Sequence, residues 1–188
     1  AAAALPSMIE TSRDKEVTIM LLPYIRRMAL YNRWANARLY AACADLSDAD
    51  RKASRKAFFG SIHRTLNHLL LCDRMWLSRI EPGRTPITDP LDTELYTDFA
   101  ALRREREAQD EAIIAYVNAQ NEQSLGEMKR YANASGQPQE TRHGTILQHY
   151  FNHQTHHRGQ VHGMLTQTTV APPPLDLIYF TRVVPEAA

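Results

Sequence analysis

TILQHYFNHQTHHRGQVHGML, from Thr145 to Leu165, is the stretch that decides the fold class. On a helical wheel of roughly 100° per residue, Ile146, Tyr150, Val161 and Met164 mark one apolar side. An apolar face sustained at that period specifies an amphipathic helix packed against others. Thr145-Ile-Leu-Gln148 fits a capping box, and Pro172-Pro-Pro174 stops a helix that runs to about Gln167.

The same period recurs in three segments upstream. The first, about Ile19 to Leu46, carries Leu21, Ile25, Met28, Asn32, Ala35, Leu39 and Ala42, with Pro23 tolerated close to its start. The second opens at Gly60-Ser61, carries Ile62, Leu66, Leu69, Leu70, Asp73, Leu77 and Ile80, and ends in Glu81-Pro-Gly-Arg-Thr-Pro86. The third spans about Asp92 to Asn121, with Leu95, Phe99, Leu102, Arg106, Ile113 and Val117 inward. Between Gly126 and His143 the period is lost; Asn133-Ala-Ser-Gly-Gln-Pro138 reads as a turn, with Met128 to Ala132 one strand of a hairpin. The expectation is an all-α protein, a four-helix bundle with a short irregular or hairpin insertion before the last helix. Residues 1–17 read as a flexible N-terminal tail, 18–170 as the bundle, and 171–188 as a C-terminal tail that packs on it through Leu175, Leu177, Ile178 and Phe180.

Composition agrees with a globular helical domain. Hydrophobic residues make up 44% and charged ones 23% of 188, and seven glycines with ten prolines are too few for a turn-rich β protein. Twenty-two basic residues against twenty-one acidic ones leave a formal charge of +1, which gives no electrostatic footprint for nucleic acid. No apolar run approaches the ~18 residues of a membrane helix. The segment AAAALPSMIETSRDKEV lacks the charged and apolar regions of a secretory signal. Cys43 and Cys72 do not form a metal-type pair, so a reduced, cytoplasmic protein is expected.

Histidine stands out: six of the eight fall between His143 and His162. His153 and His157 lie on the apolar centre of the last helix, with His149 on one flank and His156 further out. Two imidazoles one turn apart on a buried face can reach one ion. They can equally be core histidines bonded to their neighbours, although each desolvated ring then needs polar partners. A third ligand from the same stripe would sit about 12 Å away, so it must come from another helix. On the second helix His68, Cys72 and Asp73 are all candidates, and spacing does not choose among them. Arg106 and Asn32, on inner stripes, are candidate substrate-binding residues; a snorkelling arginine and a structural amide are the plainer readings. Arg158 lies off the apolar centre, where an acid or a partner subunit would pair with it.

Three stretches resemble the DinB family of DinB/YfiT-like metalloenzymes: Tyr31 to Asn36 (YNRWAN), Ser61 to Trp76 (SIHRTLNHLLLCDRMW), and His149 to Gln160 (HYFNHQTHHRGQ). The likeness runs from about Leu22 to Phe180, and H-x-x-x-H-R-G-Q, His153 to Gln160, is its most specific element. The resemblance implies a bundle holding a divalent ion, most often nickel or zinc, through His68, His153 and His157. It also implies thiol-dependent transferases or isomerases among the relatives, and a homodimer. The homodimer expectation is supported by Tyr24, Tyr31, Trp34 and Tyr40 on the first helix, several of them off its inner stripe. The expected function is a metal-dependent enzyme, a thiol-dependent S-transferase or a hydrolase, acting on a small molecule such as a low-molecular-weight thiol. The alternative is a non-catalytic metal-binding stress-response module. No Glu follows His153 in the zinc-protease pattern, since Gln154 and Thr155 stand there.

Overall fold

The computed structural model describes residues 10–184, with side chains from Leu21 onward. The elements run α1 (Glu10–Ala44), α2 (Asp48–Lys52), α3 (Ile62–Ile80), α4 (Phe99–Asn118), α5 (Glu122–Gly126), β1 (Met128–Ala132), β2 (Pro138–Arg142), α6 (His143–Leu165) and α7 (Leu177–Val183). The four long helices are those expected. Each packs on two others: α4 on α1 and α3, α6 on α3 and α1. The hairpin is present as an antiparallel pair with Met128 opposite Arg142 and Tyr131 opposite Gln139. Its turn is closed by Asn133, whose Oδ1 accepts from the backbone N–H of Ser135 and Gln137, while Gly136 takes φ +75°.

Three boundaries differ from the sequence reading, each for a local reason. Helix α1 starts at Glu10, inside the stretch expected to be a tail, so Pro23 lies in its interior; residues 1–9 fall outside the described region. Helix α4 starts at Phe99 rather than near Asp92, with Asp98 as N-cap accepting from Ala101 N–H at 2.7 Å. Upstream, Asn67 takes both backbone groups of Tyr96, donating to its carbonyl and accepting from its N–H. Those groups are thereby withheld from a helix, and Leu95 sits in loop. Helix α6 begins at His143, before the expected capping box. Its cap residue, Arg142, makes no side-chain capping bond, and the His143 N–H instead donates to Glu127 O across the base of the hairpin.

The C-terminal segment meets the first helix through Phe180 and Leu175, while Leu177 and Ile178, expected to pack with them, are exposed. Phe180 of α7 is buried against the rings of Tyr31 and Trp34, at centroid distances of 5.8 and 5.7 Å, and Tyr31 Oη donates to Leu175 O at 2.7 Å. Tyr31 and Tyr40 are therefore buried and Trp34 half-buried inside their own chain; of the four aromatics offered as a dimer face, only Tyr24 is exposed. The aromatic argument for a homodimer does not survive this arrangement.

Two apolar clusters fill the interior. One gathers Ile25, Leu77, Ile80, Ile113, Val117, Ile146 and Phe151; the other gathers Leu39, Ile62, Leu66, Leu70, Phe99, Leu102, Val161 and Leu165. Between them runs a buried polar layer to which every long helix contributes: Asn32 and Asn36 from α1, Asp73 from α3, Arg106 and Asp110 from α4, Gln154 and Arg158 from α6. Two arginines balance two aspartates. No helix among the described residues is long and apolar enough to cross a membrane.

Candidate metal centre

Helices α3 and α6 run antiparallel: Trp76 meets His149 at 4.9 Å near one end and His68 meets His157 at 4.5 Å nearer the other. At mid-cleft the ligand-type nitrogens of His68, His153 and His157 all lie within 4.8 Å of one another. It is the one such cluster of histidine, cysteine or acidic side chains among the described residues.

Hydrogen bonds fix how two of these rings face. His68 Nδ1 lies 2.8 Å from Leu91 O, an oxygen that can only accept, so Nδ1 carries the proton and Nε2 a lone pair. His157 Nδ1 lies 2.8 Å from Gln160 Oε1, while the Gln160 amide nitrogen lies 3.2 Å from His156 Nε2. The amide thus donates to His156 and accepts from His157, again leaving Nε2 unprotonated. The two Nε2 atoms face each other at 3.3 Å. Two bare lone pairs at that distance repel. Two nitrogens each 2.0–2.1 Å from one ion at a tetrahedral angle stand about 3.3 Å apart, so the spacing fits a shared divalent cation.

A shared proton fits less well. Burial, then repulsion from His157, His68, His149 and His156, pushes His153 down to about 3. Burial also pushes His157 down to about 4, against the pull of its Gln160 bond, and lowers His68. All three rings are neutral at pH 7, the form that ligates metal.

The rival ligands are placed differently. Cys72 Sγ touches the edge of the His68 ring at 3.5 Å from Nε2, and burial pushes its thiol up to about 12 in the metal-free protein. Asp73 turns into the polar layer, where its Oδ2 accepts from Arg106 at 2.6 Å and from Gln154. Arg106, which the sequence offered for substrate, is 1% exposed and ion-paired with Asp73 and, at 2.9 Å, with Asp110. Asn32 donates to Asp110 at 3.1 Å and accepts from Arg158. The recorded bonds of Arg106 and Asn32 all stay within this layer, and none reaches the histidine cluster. Arg158 is also inside, not outside: its guanidinium bonds Asn32, Asn36 and Gln154 and lies over the Tyr31 ring at 5.2 Å.

Other groups around the triad were not singled out from sequence. Phe59 stacks on His68 at 3.9 Å with 24° between the planes. Gln160 orients His157. Leu91 orients His68 from a loop that is itself clasped to α3 by His63, whose Nε2 lies 2.8 Å from Tyr96 O, and by Asn67. Only Gln160 carried a sequence signal, as the last residue of the H-x-x-x-H-R-G-Q element.

Fold and site together define a helical protein with a three-histidine cluster set in the cleft between two antiparallel helices. The chain belongs to the DinB family, whose model matches residues 17–186. It is 28% identical over 153 residues to Protein DinB of Bacillus subtilis (strain 168), a match spanning 78% of this chain and 87% of that protein. The crystal structure of a DinB-like protein from Bacillus cereus ATCC 10987 shares the fold, with a TM-score of 0.57 at 18% identity over 74% of this chain and 89% of the other.

Proposed function

We propose that the protein binds one divalent ion, nickel or zinc, through His68, His153 and His157, and uses it as a metal-dependent enzyme acting on a small molecule. A thiol-dependent S-transferase or a hydrolase is the reaction class. The observation that carries this reading is the pair of facing, unprotonated Nε2 atoms of His68 and His157 with His153 beside them. Three imidazoles without a fourth protein ligand are the pattern of open rather than closed sites. An ion held there would supply Lewis acidity, lowering the pKa of a thiol or water that entered the open position.

The chain's own residues have defined tasks in this reading. Leu91 O and Gln160 Oε1 hold the ligand tautomers. Phe59 covers one face of His68 and keeps water from it.

A second reading, a non-catalytic metal-binding stress-response module, is favoured by one observation: Asp73, the acid next along α3, is committed to Arg106 and Gln154 and is not free to act as a base. Protein purified without a nickel column separates the two. Stoichiometric metal by elemental analysis, with metal-dependent turnover in a panel of thiols and electrophiles, supports the enzyme. Stoichiometric metal with no turnover in that panel supports the module, and no metal removes both.

A further inference from the structure

We infer that the cavity beside the triad seats an uncharged aromatic or flat apolar group, the far end of the ligand whose polar end reaches the three histidines. The inference deepens the metal-site reading and rests on it.

The cavity measures about 530 Å³, in the size range of small-molecule clefts. Its uncharged walls are Ala57, Phe58, Phe59, Gly60 and Leu91, and two of them are shared with the triad. Phe59 lies flat on His68 and 5.6 Å from the His157 ring. Leu91 supplies the carbonyl that fixes the His68 tautomer. A group in the cavity is therefore one aromatic ring away from the ligating nitrogens.

The wall is built, not loose. Gly60, at φ +82°, turns the chain so that its N–H donates to Ala57 O and its carbonyl accepts from Arg55 N–H, each at 2.8 Å. That closed loop presents Phe58 edge-on to Phe59 at 4.9 Å, with Phe58 87% exposed. A single exposed phenylalanine is ordinary; one held at the mouth of a cavity that shares its wall with a candidate metal centre offers an aromatic face to a ligand. Leu91, 43% exposed, stands at the same cavity. The cavity's charged residues are Arg64 and Asp92, 3.8 Å apart and both open to solvent. Their charges offset, so the cavity selects neither an anion nor a cation.

The test uses two metal-directed probes, acetohydroxamate and benzohydroxamate, titrated into cobalt-loaded protein and read from the cobalt absorption bands. The wild-type protein should bind benzohydroxamate the more tightly. In the Phe58→Ala variant the ratio of the two affinities should fall about tenfold, a loss of about 1.4 kcal/mol. Cobalt content and acetohydroxamate affinity should stay unchanged. An unaltered ratio overturns the cavity assignment while leaving the metal site standing. Protein that takes up no cobalt overturns the metal-site reading, and cobalt bands that neither probe moves overturn its open position; the cavity's role falls with either.

Discussion

Arg158 of α6 and Asp110 of α4 are joined through amides rather than directly: Asn32 and Asn36 of α1 donate to the carboxylate and accept from the guanidinium. Both charges are buried, and burial raises the Asp110 carboxyl to about 6 against the pull of Arg106. Removing the Asn32 amide leaves Asn36 as the one remaining bridge and takes an acceptor from the buried Arg158, while Asp110 keeps its Arg106 partner. Asn32→Leu should therefore cost about 1–3 kcal/mol of stability, read as a lower denaturation midpoint in urea. Metal content should be unaffected. A variant as stable as wild type would show that the amide carries no charge between the two helices.

Arg106 neutralises Asp73 and Asp110 at once. Arg106→Met should destabilise by about 3–5 kcal/mol, the cost of leaving a buried partner uncompensated, and Arg106→Met with Asp73→Asn should recover part of the loss. If Arg106 served substrate alone, the single variant would unfold at the wild-type midpoint.

At the triad, His68→Ala, His153→Ala and His157→Ala should each abolish stoichiometric metal by elemental analysis while circular dichroism stays helical, because the two apolar clusters lie outside the site. Cys72→Ser should keep its metal. Equal loss in the cysteine variant would indicate a mixed nitrogen–sulfur site.

Gln160→Leu leaves all three ligands in place and removes only the acceptor on His157 Nδ1. Metal affinity should fall 10- to 100-fold, the usual effect of losing a group that orients a ligand, with thermal stability of the metal-free protein little changed. Undiminished affinity in a competition titration would show that the ring is positioned by packing alone.

The pH dependence of folding can be read at His143, the first residue of α6, ten residues before His153. Its Nδ1 faces Ser124 O at 2.9 Å and its Nε2 faces Tyr116 Oη at 2.9 Å, and burial lowers its pKa. A folded-state pKa below the unfolded value means that the unfolded chain binds more protons, so this contribution to stability is present above about pH 6.5 and is lost as pH falls through the lower folded value. The metal-free histidines of the triad add in the same sense, and Asp110, raised to about 6, opposes them as one group against four. Urea midpoints measured from pH 7.5 to 5 should fall, and His143→Gln should make that fall shallower. A parallel fall would exclude His143 as a source.

What could be read from the chain follows the range over which each signal acts. The His153–His157 pair, the existence and order of the four helices and the Asn133–Gly136 turn are local patterns, and each is present, with three helix starts displaced. The start of α4 is not local: Leu95 continues an apolar stripe, yet Asn67, twenty-nine residues away, takes the backbone of Tyr96. The wheel placed Arg106 and Asn32 inward, as they are. It could not show that their partners are each other's neighbours in a polar layer rather than a ligand. Arg158 fails for the same reason, since a wheel centred on apolar residues assigns a buried arginine to the outside. Spacing does not separate Cys72, Asp73 and His68; the family likeness favours His68, and in the structure the Asp73 carboxylate turns away to Arg106 and Gln154.

The polar layer also indexes the bundle along its axis. Apolar side chains tolerate sliding past one another, but a helix displaced by one turn, about 5.4 Å, would carry Arg158 or Asp73 off its partners and into hydrocarbon. The penalty for that slip far exceeds what leucine packing alone imposes. Gln154 sits beside His153 and bonds Asp73, which sits five residues beyond His68. The contact that sets the stagger of α6 on α3 is thus within a turn and a half of the histidines on both helices. The span across the cleft is gauged by the core beneath it.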